Sequence, residues 1–328
     1  MDANAMYLGI DLGGTATKLG VIDASGGLVS NGKIPTPELI TEEQCRAHVA
    51  KIADFVHGSG VYSSELAGVG LALPGIIVNG VPQLTPNVKA DWPVFMSVMT
   101  AEFGAKKIEC INDANAAALG EMWHGAAAGA KSTMLVTIGT GIGAGIVADG
   151  RVVQGHGGAG EIGHITVVPD GRPCRCGRAG CLEQYASSRG IVANFREAQQ
   201  AGAAATSQHE PKSDTDSLAV FEAYREGDAR AVQAVGQFVQ KLGYALAQTT
   251  CVVDADVILL GGGVAGAAEL FIDDLEAVYR KYCLSTCRDA KIRVAGLGNT
   301  AGVVGAVRYA QMQRESLDPF DDLFGMTF

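Results

Sequence analysis

Positive charge is scarce in this sequence. Its 328 residues include 25 Lys and Arg against 35 Asp and Glu, which gives a formal net charge of −10. Nucleic acids and anionic membranes are bound by basic surfaces, so we expect neither as a partner. The deficit does not exclude a small anionic ligand, because backbone amides can bind phosphate locally within an acidic protein.

Long apolar runs are also missing. No run reaches the ~18–20 residues needed to span a bilayer, and the best candidate, residues 134–148, is broken by four glycines. Residues 1–5 lack the basic and apolar regions of a signal peptide. We therefore expect a cytoplasmic protein with no membrane partner.

The residues that are present are typical of a folded α/β protein. Hydrophobic residues make up 48% of the chain, and 328 residues have room for two modest domains. Predicted strands at 68–73 and 108–111 alternate with predicted helices such as 41–58, which indicates an α/β fold. Residues 199–217 are polar and rich in alanine, and we interpret them as a mobile surface connection. One further helix is predicted to have an apolar face formed by Val232, Val235, Phe238, Val239, Leu242 and Leu246.

Two glycine-rich turns, one in each half of the chain, follow short apolar strands. The first lies in DLGGT at residues 11–15, and the second in TIGTGIG at residues 137–143. Such turns let backbone amides approach phosphate oxygens, although each taken alone is also consistent with an ordinary hairpin turn. Neither has the spacing of a Walker A loop or a Rossmann unit. The repetition suggests a duplicated α/β architecture whose halves face a shared cleft.

Three of the eight cysteines are clustered in one loop. Cys174, Cys176 and Cys181 follow His164 within a short glycine-containing segment. Three thiolates and one imidazole make a closed tetrahedral zinc set, and clustered cysteines in a large intracellular chain favour a metal over disulfides. A closed set leaves no open coordination position, so the predicted zinc is structural. The alternative is a loop of reduced thiols with an unrelated histidine.

Two glutamates flank this cluster. Glu161 precedes His164 by one helical turn, and Glu183 follows Cys181 by two residues. Taken singly, each is more often a solvated surface charge. A metal that holds their segments would bring both carboxylates together, and we predict that they form a rigid hydrogen-bonding wall for a polyol.

The pair Asn112-Asp113 begins a predicted alanine-rich helix. Asp113 is a good helix cap, and the helix dipole would keep its carboxylate ionised. An ionised carboxylate at a strand–helix junction can also accept a hydroxyl proton during phosphoryl transfer. The local pattern alone leaves both interpretations open.

Taken in order, these segments resemble the ROK family of sugar kinases and repressors. The resemblance covers nearly the whole chain, and single motifs are far less specific than the ordered set. Its motifs are DLGGTATK (11–18), GLALPG (70–75), TPN (85–87), NDANAAALGE (112–121), TIGTGIGAGIV (137–147), GGAGEIGHITV (157–167), CRCGRAGCLEQYAS (174–187) and LLGGGV (259–264).

The resemblance implies a fold and a domain division. The fold is α/β, the two-domain actin-like (ribonuclease H-like) ATPase fold with an inter-domain cleft. Residues 1–112 and 303–328 are expected to form an N-terminal domain with the phosphate-1 hairpin. Residues 113–302 are expected to form a C-terminal domain with the phosphate-2 hairpin, the zinc loop and an adenosine motif.

The resemblance also implies roles for individual residues. The catalytic base is Asp113. The sugar-binding positions are Gly75, Asn87, Asn112, Glu161, His164 and Glu183. The positions that serve ATP with Mg²⁺ are Asp11, Gly13, Gly14, Thr15, Lys18, Gly139, Thr140, Gly141, Gly262 and Gly263. The ligands of the structural Zn²⁺ are His164, Cys174, Cys176 and Cys181.

The implied activity is transfer of the terminal phosphoryl group of ATP to a hexose. TPN and CLEQYAS look most like the family's bacterial glucokinases, which favours glucose. A kinase for N-acylmannosamine, fructose or allose is the main alternative. A repressor would need a DNA-binding helix-turn-helix before the first hairpin, which begins at Tyr7. A non-catalytic sugar-binding regulator is disfavoured by the retention of Asp113 and both glycine turns. Relatives imply a homodimer or homotetramer. We also expect loss of zinc to affect sugar binding more than ATP binding, because both glycine turns lie outside the metal-bound segment.

Overall fold

The computed structural model describes residues 4–85, 87–104 and 108–315. Pro86 of the TPN motif and both ends of the predicted N-terminal domain, 1–3 and 316–328, lie outside these residues. The strands are β1 (Met6–Leu12), β2 (Ala16–Asp23), β3 (Leu28–Pro35), β4 (Leu66–Leu73), β5 (Ile76–Val78), β6 (Val81–Leu84), β7 (Ile108–Asn112), β8 (Thr133–Ile138), β9 (Ile142–Ala148), β10 (Arg151–Val152), β11 (Val257–Gly261) and β12 (Lys291–Val294). The helices are α1 (Glu42–Gly58), α2 (Trp92–Phe103), α3 (Asp113–His124), α4 (Glu183–Ala186), α5 (Ser188–Gln200), α6 (Ser217–Arg225), α7 (Ala229–Val253), α8 (Ile272–Tyr282) and α9 (Ala301–Glu315).

Two five-stranded sheets share one topology. The first has the order β3-β2-β1-β4-β7 and the second the order β10-β9-β8-β11-β12. In each, an antiparallel meander supplies three strands, and two further strands pair in parallel beside its first strand. The predicted duplication of an α/β architecture is therefore confirmed at the level of sheet topology.

The chain divides by its contacts into two compact units. Unit 1 takes its residues from 1–129, 154–158 and 299–328, and unit 2 comprises 130–153 and 159–298. The sequence prediction instead placed the division between residues 112 and 113. Helix α3 belongs to unit 1 because it packs on α9 with direct backbone contact. A Cβ at Gly120 would overlap the carbonyl of Ala301, and one at Gly305 would overlap that of Ala116.

Local sequence explains where the helices of unit 1 begin. Thr41 caps α1 because its hydroxyl oxygen accepts a hydrogen bond from the Gln44 amide. The Gln44 side chain in turn accepts one from the Thr41 amide, so TEEQ forms a reciprocal capping box. Asp91 caps α2 by accepting a hydrogen bond from the Val94 amide. The predicted helix at 41–58 is thus confirmed, with Thr41 as its cap.

Helix α7 forms the centre of the unit 2 core. Val235, Phe238, Leu242 and Leu246 of its predicted apolar face are buried. Val232 is 47% exposed, so its assignment to that face was wrong. The buried stripe begins at Ala231 and Ala234 instead, which puts Val232 at its solvent edge.

Among the described helices, none combines the length and apolar character of a membrane span.

The polar connection between α5 and α6 is tied to the core of unit 2 and does not match the predicted mobile segment. Arg230 is 1% exposed and forms ion pairs with Asp228 at 2.9 Å and Glu210 at 2.5 Å. Asp228 also accepts hydrogen bonds from the amides of Thr206 and Ser207. A buried ion pair requires such additional partners to offset its desolvation. Composition alone could not reveal that Glu210, Thr206 and Ser207 of the connection contribute to these contacts.

Candidate active site

Four of the predicted site residues lie at one edge of the unit 1 sheet. Strand β1 pairs in parallel with β4, and β4 with β7, so their carboxyl ends meet at the same edge. Ligands of α/β proteins usually bind at such an edge. Asp11 lies near the end of β1, Gly75 follows β4, and Asn112 and Asp113 stand at the junction of β7 with α3.

Asn112, and not Asp113, is the cap of α3. Its Oδ1 accepts hydrogen bonds from the amides of Ala114 at 3.0 Å and Asn115 at 3.1 Å. Its Nδ2 donates to the carbonyl of Gly75 at 2.9 Å, and Gly75 has the positive φ of 94° that favours glycine. Asn112 therefore fixes both the helix start and the loop after β4, which relieves Asp113 of the capping role.

The carboxyl of Asp113 is surrounded largely by protein, although the residue keeps some access to solvent. Burial, reinforced by the nearby Asp11 carboxylate, raises the pKa of Asp113 to about 6. The Ala114 amide, which donates to Oδ1 at 2.8 Å, and the Lys18 ammonium partly oppose that rise. A carboxyl with a pKa near the working pH is suited to general base chemistry.

The first glycine turn, Gly13–Thr15, is exposed at Gly14 and Thr15 and is held by contacts with neighbouring backbone. The Gly13 amide donates to the Ala16 carbonyl at 3.1 Å and closes the turn. Asp11 and Lys18 face each other in the β1–β2 ladder and form an ion pair at 2.9 Å. A Cβ at Gly14 would overlap the carbonyl of Asn87, so glycine here allows the turn to contact the backbone of a predicted sugar-binding residue.

A buried polar chain that sequence reasoning missed supports this turn. Thr17 Oγ1 lies 3.0 Å from Nε2 of His48 and 2.8 Å from Oγ1 of Thr36. Burial, with Lys51 nearby, lowers the pKa of His48 to about 4, so the ring is neutral near pH 7. Thr17 stands inside the DLGGTATK motif, but no local pattern connects it to a histidine on α1.

The second glycine turn, Gly139–Gly141, lies at the equivalent edge of the unit 2 sheet. Strands β8 and β11 are parallel neighbours, so this turn and the Gly262–Gly263 loop follow adjacent strand ends. A Cβ at Gly262 would lie 2.5 Å from the Ile138 carbonyl oxygen, and its φ is 81°. The predicted phosphate-2 and adenosine-side segments are therefore in contact within this unit.

A cavity of about 240 Å³ lies beside the Gly262–Gly263 loop. Its lining includes Gly263 and Val264 from the segment after β11, and Leu218, Phe221 and Arg225 from α6. The lining also includes Glu222, and a cavity that combines aliphatic, aromatic and charged side chains can hold a flat heterocyclic ring.

Glu183 contacts the second glycine turn directly. Its Oε2 accepts a hydrogen bond from the Ile142 amide at 3.0 Å. A Cβ at Gly141 would overlap the same oxygen, so glycine at this position makes the approach possible. On the other side of the turn, the Ser188 amide donates to the Gly139 carbonyl at 2.8 Å. Glu183 and the turn were predicted as separate elements, and no local pattern in the sequence indicates that they are in contact.

The four predicted metal ligands converge. The ligand atoms of His164, Cys174, Cys176 and Cys181 all lie within 4.8 Å of one another. Cys176 Sγ is 3.6 Å from Cys181 Sγ, and Cys174 Sγ is 3.7 Å from His164 Nδ1. Zn–S bonds of ~2.3 Å in a tetrahedron set the sulfurs ~3.8 Å apart, so the donor set has a suitable size and chemistry for zinc.

The thiols of this cluster differ in their protonation. The backbone amide of Arg178 lowers the pKa of Cys176 to about 6, whereas burial raises the pKa of Cys181 to about 12. A bound cation would favour the thiolate at both positions. Gly180 has a φ of 76°, and a Cβ there would overlap the Val168 carbonyl, which explains the glycine in this loop.

Glu161 lies beside the outer nitrogen of His164. Its Oε2 is 3.9 Å from His164 Nε2, while Nδ1 faces Cys174. The two ring nitrogens of His164 therefore face different partners, so a role toward the metal is compatible with one toward Glu161 or a ligand. The Glu161 side chain is 51% exposed.

The chain is similar to known proteins along almost its entire length. The ROK family model matches residues 7–313. A glucokinase from Halalkalibacterium halodurans is 36% identical over 324 residues, which cover 95% of this chain and 97% of that protein. The structure of a ROK hexokinase from Thermus thermophilus has a TM-score of 0.79 and 33% identity, over 95% of this chain and 99% of that one. A ROK family glucokinase from Streptomyces griseus, solved with glucose and AMPPNP, has a TM-score of 0.72 and 30% identity, over 94% of this chain and all of that one.

Replacing Asp113 by Asn separates a buried acid from a helix cap. The pKa of Asp113 rises from 3.8 to about 6 on folding, so ionisation reduces the free energy of unfolding as pH rises through this range. We expect Asp113→Asn to increase that free energy at pH 7 by about 1–2 kcal/mol, after allowance for residual solvent access. The gain should vanish near pH 4. The measurement is urea unfolding of both proteins at several pH values.

Asn112→Ala is the matched control. It removes the cap and the bond to Gly75, so we expect a loss of about 1–2 kcal/mol. If Asp113→Asn also loses stability at pH 7, Asp113 supports the helix and its burial carries no penalty.

Proposed function

This chain belongs to the ROK family, and we propose that it is an ATP-dependent hexose kinase that converts D-glucose to glucose 6-phosphate. Its fold is the α/β actin-like (ribonuclease H-like) ATPase fold that the sequence resemblance implied, as the matches to the ROK hexokinase and glucokinase structures confirm. The glucokinase relatives support a phosphotransferase that acts on a sugar hydroxyl.

The observation that carries the proposal is the carboxyl of Asp113. It has a raised pKa, is relieved of the capping role by Asn112, and lies at the sheet edge beside Gly75 and Asp11. We assign it as the base that accepts the proton of the sugar hydroxyl. The freed oxygen then bonds to the γ-phosphorus of ATP as the bond to the ADP oxygen breaks.

The two glycine turns are proposed to hold the phosphates of ATP. The backbone amides of these turns, the Thr15 hydroxyl and the Lys18 ammonium are groups of the kind that bind phosphate oxygens. Asp11 would hold Mg²⁺, which when bound neutralises charge on the phosphates. Gly139, Thr140 and Gly141 of the second turn are likewise proposed to bind phosphate oxygens. Lys18 already pairs with Asp11 at 2.9 Å, so both side chains are positioned before ligand binding.

The cavity beside Gly262 and Gly263 is proposed to take the adenine ring. Leu218 and Phe221 on α6 line it together with Val264, and such apolar side chains can pack against a purine ring. This assignment gives the adenosine motif a physical purpose within unit 2.

Sugar recognition is assigned, as the family resemblance implies, to polar or closely placed groups. They are Gly75, Asn87, Asn112, Glu161, His164 and Glu183. A hexose has only neutral hydroxyls, so it is recognised by fixed amide, carboxylate and imidazole groups. Glucose is preferred because TPN and CLEQYAS resemble glucokinases and because glucokinases are among the similar proteins. An N-acylmannosamine kinase or another hexose kinase of the family is the alternative.

The Cys/His cluster is proposed to bind a structural zinc ion through His164, Cys174, Cys176 and Cys181. When bound, zinc would stabilise the thiolates and hold the loop from which Glu161 and Glu183 extend. We further propose that the protein acts in the cytoplasm as a homodimer or homotetramer, as the family resemblance implies. The division into an N-terminal domain (1–112 with 303–328) and a C-terminal domain (113–302) stays a prediction from the same resemblance.

A hexose panel tests the activity. We expect ADP release with D-glucose, and a phosphorus NMR signal of glucose 6-phosphate, with kcat/KM at least tenfold above that for N-acylmannosamine, N-acetylglucosamine, fructose and allose. Asp113→Asn should lower kcat by on the order of 10²-fold or more, because an amide cannot accept the proton. Turnover of another hexose only would replace glucose as substrate. Absence of turnover with every hexose would overturn the proposal.

Cys176→Ser tests the zinc assignment. We expect about one zinc per chain in the wild type and none in the variant, together with a steep rise in the KM for glucose. The contact between Glu183 and Ile142 revises the earlier expectation for ATP: its KM should also rise, though less, because the zinc loop and the second turn are joined. Elemental analysis and saturation curves provide the measurements.

Cys251→Ser is the control, since Cys251 is an exposed cysteine outside the cluster. It should retain both zinc and kinetics. Wild-type protein without zinc, prepared without chelators, would contradict the assignment, and an unchanged glucose KM in zinc-free Cys176→Ser would detach the metal from sugar recognition.

A further inference from the structure

Glu183 stands at a junction between three parts of unit 2. It follows the predicted metal ligand Cys181 by two residues, it begins α4, and its side chain reaches the second glycine turn through the Ile142 amide. The backbone before it is also anchored, since the Leu182 amide donates to the Ile165 carbonyl at 2.8 Å. The backbone of Glu183 is thus anchored next to the predicted metal ligands, and its carboxylate contacts the second glycine turn.

The segment that carries Glu183 holds the turn at two points. The Glu183 carboxylate receives the Ile142 amide after the turn, and the Ser188 amide donates to the Gly139 carbonyl at its start. Ser187 joins these two points, because its hydroxyl donates to the Glu183 carbonyl at 2.7 Å. Any ligand that fixes the position of residues 183–188 therefore also fixes the turn.

Only one oxygen of the Glu183 carboxylate is engaged. Oε2 accepts from Ile142, while Oε1 accepts no hydrogen bond from the residues that the structure describes. A sugar hydroxyl that donates to Oε1 would restrict the side-chain rotation and withdraw charge from a carboxylate that borders a phosphate-binding turn. Both effects favour a negatively charged phosphate at the turn, the first by reducing the entropy lost on ordering and the second by reducing repulsion.

We propose that Glu183 couples the two substrates: sugar bound at Oε1 partly neutralises the Glu183 carboxylate, orders the second glycine turn through the Oε2–Ile142 hydrogen bond, and thereby strengthens nucleotide binding. The inference rests on the proposed kinase function. Glu183 acts toward the nucleotide as a positioning residue, through Ile142 and Gly141. By linkage, the nucleotide strengthens sugar binding by the same factor.

The test is the coupling factor, which is the Kd of AMP-PNP without glucose divided by its Kd with saturating glucose, measured by calorimetry in the presence of Mg²⁺. We expect about a tenfold factor in the wild type, within the usual range for coupled sites. Glu183→Ala should reduce the factor to about one. Glu183→Gln retains an oxygen that can accept the Ile142 amide, so it should restore part of the coupling. Gly141→Ala, whose methyl group would displace the carboxylate, should also lose it.

Glu161→Ala is the matched control. Glu161 is predicted to bind the sugar but lies beside His164, and it makes no hydrogen bond to the turn within the described part of the chain. It should weaken glucose binding and leave the coupling factor at its wild-type value once glucose is saturating. Circular dichroism and zinc content of each variant identify any that fail to fold, and Glu183→Gln with Gly141→Ala then carry the test.

The outcomes separate this inference from the function on which it rests. Wild-type protein that turns over glucose but shows a coupling factor of one overturns the coupling alone, as does a Glu183→Ala variant with the full wild-type factor. Equal losses of coupling in Glu161→Ala and Glu183→Ala would also overturn it, because the effect would then follow sugar affinity. Wild-type protein that neither binds nor turns over a hexose removes the proposed function itself.

Discussion

Close approach of other groups to the backbone of particular glycines is the constraint on which this structure depends. At Gly14 and Gly141 the glycine turns press against Asn87 and Glu183, and at Gly262 two loops meet at adjacent strand ends. A side chain at any of these positions would push apart segments that are both proposed to bind the ligands. The 44 glycines of the chain are therefore partly a requirement of the site, in addition to their ordinary use in turns.

The electrostatics of unit 1 depend on the same compactness. Two carboxyls, Asp11 and Asp113, share one sheet edge, and burial keeps the pKa of Asp113 well above its usual range. Lys18 pairs with Asp11 and limits the repulsion between them. Such an arrangement costs stability in the ionised state, and the cost is understandable if Asp113 must take up a proton during the reaction.

Sequence reasoning predicted the repeated sheets, both glycine turns and the convergence of the four metal ligands, because strand period, turn residues and ligand spacing are local signals. It did not assign the cap of α3 to Asn112, since either member of Asn112-Asp113 fits a cap and only the folded geometry distinguishes them. It also missed His48 behind Thr17 and Ile142 beside Glu183, which are contacts between residues far apart in the chain. The segment 199–217, predicted to be a mobile surface connection, instead contacts the core, and this was missed for the same reason: the sequence around Arg230 does not indicate the partners of its buried side chain.

The claim at the centre of this account is that the Asp113 carboxylate accepts the proton of the sugar hydroxyl. The most direct measurement is the pH dependence of kcat/KM for glucose, which reports the ionisation of the free enzyme's essential groups. Because the base must be deprotonated, the account predicts a rate that is constant above neutrality and falls tenfold per pH unit below an apparent pKa of about 6. A profile that stays level down to about pH 5, two units below neutrality and above the usual carboxyl range, would contradict it.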